Sequence, residues 1–192
     1  MRIQRAALSL GVILALAGCG GEDHVNHRGT VSTNPANGSG DGTGGSPVEL
    51  ALAQAPSNVS AGDPRLANTV WGLASGTEGA GVAFAADARY AALVLRVTSG
   101  ATVEAMATVG TYAVSDETFA VHRTRTTCPD LPGRSTAPAQ YKLVDDQTLW
   151  LSSGAATAVL KRVTPASTPA LVISWGCFDS AGSFTPHAWT NL

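Results

Sequence analysis

The chain has 192 residues, and its 12 Lys and Arg against 14 Asp and Glu give a formal net charge of -2. A single domain is predicted at this length, and the charge balance excludes the basic surface that nucleic-acid binders present. Charged residues make up only 14% of the chain, against ~25% in an ordinary soluble domain. We therefore expect a surface of small polar residues, which is common in exported β-proteins.

The first 18 residues have the pattern of a secretory signal peptide. A short basic stretch, residues 1–5, precedes an almost unbroken apolar run, residues 6–17. This run is too short to cross a membrane, which takes about 20 residues. A basic stretch, an apolar run and small residues, in that order, are typical of a cleaved leader. We predict that residues 1–18 are removed.

The end of this leader resembles the lipobox of bacterial lipoproteins. The motif is Leu16-Ala17-Gly18-Cys19, in which small residues admit the peptidase and the thiol carries the lipid. The resemblance implies cleavage before Cys19, a diacylglycerol on its sulfur, and an acyl chain such as palmitate on the new amino group. Several acyl chains together hold a protein stably at a membrane. Gly20 follows the cysteine instead of Asp, which under the enterobacterial sorting rule implies the outer membrane of the cell envelope.

Between the lipid site and the folded domain, residues 19–62 are predicted to form a disordered tether. Residues 34–47 read NPANGSGDGTGGSP, a composition that offers little to bury. A flexible chain of about 40 residues has a root-mean-square reach of ~35 Å. Only residues 49–55 are predicted to form a helical turn within the tether.

From residue 63 to residue 192 the sequence predicts one all-β domain. Short runs rich in β-branched and aromatic residues alternate with turn residues at intervals of about 8–12. The predicted strands cover residues 69–75, 81–85, 90–98, 102–109, 110–114, 118–124, 140–144, 148–152 and 156–163.

Large side chains fall on both faces of these strands, as where Leu93, Leu95 and Val97 share one face. This favours a single antiparallel up-and-down barrel of about eight strands whose outside is partly covered. A helix over residues 103–108 is the alternative, and the flanking Thr and Val residues favour a strand there.

Once Cys19 is assigned to lipid, Cys128 and Cys177 have one possible pairing. Because the envelope is oxidising, we predict a disulfide, which closes a loop of about 50 residues and contributes ~4 kcal/mol. The alternative is a reactive thiol, but neither cysteine has a nearby His or a C-x-x-C partner to activate it. We expect a C-terminal hairpin near residues 171–184, pinned by this disulfide to the loop that begins at Cys128.

The sequence contains no recognisable catalytic motif. The predicted domain has His122 and His187 as its histidines, and no Gly-x-Ser-x-Gly elbow surrounds a serine. Acidic pairs occur at residues 116–117 and 145–146, but both lie at predicted turns, where side chains are usually solvated. We predict no catalytic residues and a protein that is not an enzyme.

Two polar clusters are candidate ligand sites. His24 and His27 lie near carboxylates in the tether, but a flexible segment with two imidazoles predicts no metal site. Arg123 and Arg125 are placed on one face of a predicted strand, either as an anion-binding patch in the barrel mouth or, as we favour, emerging into solvent. No metal and no cofactor are predicted.

Residues 68–163 resemble small lipocalin-like barrels. Trp71 stands in the first predicted strand, Arg162 stands in the last main strand, and consecutive hairpins connect them. In lipocalins such an Arg packs over the first-strand Trp and closes the barrel bottom, so the resemblance implies this contact here. Thr69 occupies the place of the Gly in the lipocalin Gly-x-Trp motif.

Two functions follow as hypotheses. In the first, the protein is a non-enzymatic, lipid-anchored envelope barrel that binds a small apolar ligand in its cavity. In the second, the barrel displays an interaction module that docks envelope proteins or inhibits a hydrolase through the loop of residues 128–139. The expected partners are therefore the membrane and either a small apolar ligand or an envelope protein.

Overall fold

A computed structural model of the protein describes residues 46–58, 60–99, 102–129, 138–153, 156–164 and 171–192. The signal peptide, Cys19, His24 and His27 lie outside these residues, and the predictions made for them stay predictions. Most of the loop between Cys128 and Ala139 also lies outside them.

The described residues contain one helix, α1 (Pro47–Leu52), and eleven strands. In chain order the strands are β1 Thr69–Ser75, β2 Glu78–Phe84, β3 Arg89–Ser99, β4 Thr102–Ser115, β5 Thr118–Thr126, β6 Ala139–Asp145, β7 Thr148–Ser153, β8 Ala156–Arg162, β9 Val172–Phe178, β10 Phe184–Pro186 and β11 Thr190–Asn191. No helix within these ranges is long and apolar enough to span a bilayer.

Strands β1 to β8 form a closed antiparallel barrel in up-and-down order. Each strand pairs with the next along the chain, and β8 returns to β1 by pairing Arg162 with Trp71. Alternation along the strands gives the barrel an inner and an outer face. Val82 and Phe84 belong to the interior cluster, while Ala83 between them belongs to a second cluster on the outer face. The predicted all-β barrel is confirmed.

Strand β4 is one long strand with an irregular register, where the sequence predicts two strands. The shift lies between Val109 and Gly110, opposite β5. A Cβ atom on Gly110 would lie 2.0 Å from the carbonyl oxygen of His122. The two backbones approach so closely that only glycine fits, and β4 therefore continues through this point instead of ending at it.

The C-terminal residues extend the sheet beyond the barrel. Strand β9 runs parallel to the first part of β4, and β10 returns beside β9 with Phe184 opposite Phe178. Cys128, just after β5, forms a disulfide with Cys177 of β9, and their Cα atoms are 4.8 Å apart. The predicted disulfide and the hairpin that it pins are confirmed.

Residues 46–62, which the sequence assigns to the tether, pack against the outside of the barrel where they are described. Ser46 caps α1, with its hydroxyl accepting from the Glu49 N–H and the Glu49 carboxylate accepting from the Ser46 N–H. Val48 and Ala51, spaced for one helix face, are 6% and 0% exposed. This apolar face is buried on β2, β3 and β4, so the packed part of the chain includes residues from Ser46 onward.

A short turn preceding β1 plugs the end of the barrel at which β1 begins. The Leu66 N–H donates to the Asp63 carbonyl at 3.0 Å, and the Leu66 side chain is 1% exposed within the interior cluster. This turn places Asp63 and its neighbours at the plugged end.

Candidate functional site

The barrel interior is filled by its own side chains. The rings of Phe84, Tyr112 and Phe119 form a cluster with centroids 5.0, 5.4 and 5.8 Å apart. Trp71 is 1% exposed and donates its indole N–H to Thr69 Oγ1 at 2.8 Å. These interior side chains pack against one another, so they do not favour the cavity that the first hypothesis places there.

Trp71 and Arg162 lie together where β1 meets β8. The Arg162 guanidinium carbon is 5.9 Å from the centroid of the Trp71 ring, within the range of a cation–π contact. This is the position that the lipocalin resemblance implies for the pair, and its contribution to barrel closure stays a prediction. Thr69 differs from the lipocalin Gly because its hydroxyl accepts the indole hydrogen bond.

Arg123 and Arg125 point to opposite sides of the sheet, whereas the sequence predicts a shared face. The register shift places Arg123 opposite Gly110 and Arg125 opposite Val109, so one extra residue separates them. Arg123 is 2% exposed, and Arg125 donates to the Gln54 carbonyl at 3.3 Å. Neither an anion-binding patch shared by the two nor a pair emerging into solvent is formed.

Asp63, Arg65 and Tyr141 form a hydrogen-bonded cluster at the plugged end. Arg65 Nη2 lies 2.8 Å from Asp63 Oδ2 and also donates to the Tyr141 hydroxyl, which donates to Asp63 Oδ2 at 3.3 Å. The hydrogen bond from Arg65 holds the pKa of Asp63 below its usual value, and burial raises the pKa of Tyr141. At neutral pH the carboxylate is charged and accepts hydrogen bonds from Arg65 and Tyr141, so the cluster holds the turn in place at this end of the barrel.

A first groove, the rim groove, lies between residues 58 and 60–63 on one side and the β4–β5 hairpin on the other, and has a volume of about 710 Å³. Asp63, Tyr112 and His122 are among its lining residues. Burial raises the pKa of Tyr112 to about 12, so its hydroxyl stays neutral at neutral pH. Within the described ranges no three His, Cys, Asp or Glu side chains gather as a metal site. The rim groove therefore has room for a ligand but no distinctive chemistry to select one.

A second groove, the wall groove, lies on the outer surface of β1, β2 and β3 beside the start of α1 and has a volume of about 370 Å³. Glycines and aliphatic side chains dominate its lining, and Glu78 is its one ionisable residue. The lining residues are Ser46, Pro47, Val48, Val70, Trp71, Gly72, Leu73, Ala74, Gly76, Thr77, Glu78, Gly79, Ala80, Gly81, Leu93, Leu95, Val97 and Val163.

Missing side chains give the wall groove its depth. A Cβ atom on Gly79 would lie 3.2 Å from Leu95 Cδ1, and one on Gly72 would lie 3.2 Å from Val163 Cγ2. Both distances are shorter than ordinary van der Waals contact, so side chains at these positions would press on the aliphatic walls. The wall groove is apolar, and its volume lies within the range of small-molecule sites.

No family model, curated protein or solved structure matches this chain. The wall groove is therefore interpreted from its own geometry.

The wall groove is not among the sites predicted from the sequence. Its signal is present in the alternation of Gly79 and Gly81, which leaves this part of one face of β2 without side chains. That face becomes a groove only because Leu93 and Leu95 of β3 and the start of α1 stand beside it. The sequence places α1 in the tether, so nothing in the pattern indicated a wall on that side.

Proposed function

We propose that the protein is a non-enzymatic, lipid-anchored protein of the cell envelope that binds a small apolar ligand in the wall groove. The observation that carries this proposal is that the wall groove is apolar, has a volume of about 370 Å³ and has a single ionisable lining residue. Apolar surface left open to water favours an apolar ligand through the hydrophobic effect, at about 25 cal/mol per Å² buried. The lipid anchor and the outer-membrane location come from the lipobox resemblance at Cys19.

The ligand is placed on the barrel wall because the interior positions are already taken. Phe84, Tyr112 and Phe119 contact one another through their rings, and Trp71 is nearly fully buried. Displacing these side chains would cost the packing that holds the barrel together. The wall groove needs no such displacement, since glycines form much of its floor.

Two features support the remaining parts of the proposal. The Cys128–Cys177 disulfide suits an oxidising compartment such as the envelope. Asp63, which lines the rim groove, is paired with Arg65 and accepts a hydrogen bond from Tyr141. Its carboxylate oxygens are therefore already hydrogen-bonded, which does not favour a role as the general base of a catalytic site.

Filling the groove tests the proposal. Ala74 is an exposed groove-lining residue opposite Gly79, and Ala74→Trp is expected to cover the glycine floor. We expect the full chain to bind at least one member of a panel of dodecanol, naphthalene and a sterol with 1:1 stoichiometry by native mass spectrometry, and Ala74→Trp to weaken binding at least tenfold.

Val159→Trp is the matched control, because Val159 is a 50% exposed strand residue that lines neither groove. It is expected to bind like the original chain. Binding that survives Ala74→Trp unchanged, or no binding of any panel member, would overturn the proposal.

The second hypothesis, docking of an envelope protein or inhibition of a hydrolase through the loop of residues 128–139, stays a prediction. The disulfide fixes the start of this loop to β9, and residues 130–137 lie outside the described part of the chain.

A further inference from the structure

We infer that the barrel interior contains a polar site in which Tyr90, Thr108 and Arg123 bind one small monovalent anion such as chloride. This site is separate from the wall groove, and the inference does not depend on the proposed function. It involves Arg123 without Arg125, whose side chain contacts Gln54 on the other side of the sheet.

The register of β3, β4 and β5 places the three side chains next to one another. Tyr90 lies opposite Gly110 of β4, and Gly110 lies opposite Arg123 of β5. Because Gly110 has no side chain, it contributes none between Tyr90 and Arg123 in this row. Thr108 pairs with the residue two positions after Tyr90, so it is the diagonal neighbour of the tyrosine, a spacing that aromatic side chains can span.

All three side chains belong to the inner face of the barrel. Tyr90 is a member of the interior cluster, as are Val121, two residues before Arg123, and Met106, two residues before Thr108. Tyr90 and Thr108 are 0% exposed, and Arg123 is 2% exposed. The guanidinium charge and both hydroxyls are therefore removed from bulk water.

Both hydroxyls are available to donate to a ligand. Among the described residues, neither the Tyr90 nor the Thr108 hydroxyl makes a hydrogen bond, including one to the other. Burial raises the pKa of Tyr90 to about 12, although the Thr108 hydroxyl and the Arg123 charge are near enough to lower it in part. Tyr90 therefore keeps its proton at neutral pH. A buried hydroxyl is stabilised when it finds an acceptor.

The chemistry of the three groups determines the class of ligand. A guanidinium has only donors and is always charged, and the two hydroxyls add two further O–H donors. An apolar ligand would leave the hydroxyls without acceptors, and a cation would be repelled by Arg123. A divalent anion would bury more charge than one guanidinium balances. A halide ion accepts from several donors at once and is attracted by the guanidinium, an attraction that a neutral water molecule lacks.

The test compares bromide with gluconate, an anion too large for this site, at equal ionic strength. The full chain carrying Cys19→Ser is heated in each salt, and the Tm is measured at increasing bromide concentration. We expect the Tm to rise and level off in bromide, because an ion that binds only the folded state stabilises it.

Two variants and a matched control assign the effect to the site. Tyr90→Phe and Thr108→Val each remove one donor with little change of shape, and each is expected to raise the bromide concentration that gives half of the Tm rise about tenfold. Tyr112→Phe is the control. Tyr112 is also a buried interior tyrosine, but its hydroxyl already donates to the Ala85 carbonyl at 3.5 Å, so its bromide response should equal that of the original chain.

A Tm that does not rise in bromide, or a rise that Tyr90→Phe and Thr108→Val both retain in full, would overturn the inference. Crystals grown in sodium bromide give a second measurement that does not depend on the folding of any variant. An anomalous scattering peak within hydrogen-bond distance of Tyr90, Thr108 and Arg123 is the expected result, and a water molecule there in place of bromide would overturn the anion site. Neither result bears on the wall groove.

Discussion

The charge of Asp63 makes the stability of the fold depend on pH. Its carboxylate accepts from the Arg65 guanidinium at 2.8 Å and from the Arg65 backbone N–H at 2.8 Å. These donors favour the charged form, and the pKa of Asp63 is lowered from its ordinary value of 3.8. A carboxyl with a lower pKa in the folded state stabilises the fold above the unfolded pKa and loses this contribution as the pH falls.

We therefore predict that Asp63→Asn lowers the free energy of unfolding at neutral pH and that the deficit disappears on acidification. The difference from the original chain should be constant from pH 7 to about 5. It should then shrink as the pH drops through 3.8 and below, because both chains then carry a neutral group at this position. Urea unfolding at a series of pH values measures it, and a deficit that persists unchanged at pH 2.5 would contradict the assignment.

Helix α1 shows how an element that is too short to be stable alone is held by its partners. Six residues form only a marginal helix in water, and its buried residues belong to a cluster separate from the barrel interior. Ala51 is fully buried in that cluster with Ala83 and Ala91. The helix thus covers part of the outer face of the barrel, and its first turn forms one edge of the wall groove.

We predict that Ala51→Glu detaches α1 while the barrel stays folded. A buried carboxylate has no partner in this apolar cluster, so undocking is expected, with a loss of about 1–3 kcal/mol of stability. Limited proteolysis should cut residues 46–62 early, the β-sheet circular dichroism should persist, and apolar ligand binding should weaken. Ala53→Glu, at an exposed position two residues further on, is the control and should change none of these readouts. Loss of all β-sheet signal in Ala51→Glu would show that the helix belongs to the barrel core.

At the scale of the whole molecule, one covalent link joins the barrel to its C-terminal extension. Cys128 follows β5, Cys177 lies in β9, and 49 residues of sequence separate them. Thr127 adds a hydrogen bond to the Gly176 carbonyl at 2.7 Å beside the disulfide. The extension makes short pairings with β4 and β5 and has no closed core of its own, so the disulfide is expected to determine whether it stays docked.

We predict that replacing both cysteines by serine lowers stability by about 4 kcal/mol, as expected for a loop of about 50 residues in the chain-entropy model. Denaturant unfolding with and without reductant measures the effect. Reductant should destabilise the original chain by the same amount and leave the double variant unchanged. A reductant effect on the double variant, or none on the original chain, would contradict this role of the disulfide.

Elements whose signal is local could be predicted from the sequence. Alternating apolar residues predicted β1 at its observed bounds and placed β5 to β8 within two residues of theirs, because alternation is a property of neighbouring residues. Two cysteines left after Cys19 allowed one pairing, and the structure confirms it. The signal peptide and the lipid site at Cys19 are also local patterns, and they remain predictions from sequence.

Features that depend on what lies across the sheet could not be predicted from the sequence. The continuation of β4 through Gly110 depends on the approach of the His122 carbonyl, and the opposite directions of Arg123 and Arg125 depend on the register shift beside it. The docking of α1 and the wall groove beside it require β2 and β3 to be neighbours. A residue pattern states which side chains share a face, but what covers that face is decided by contacts between residues far apart in the chain.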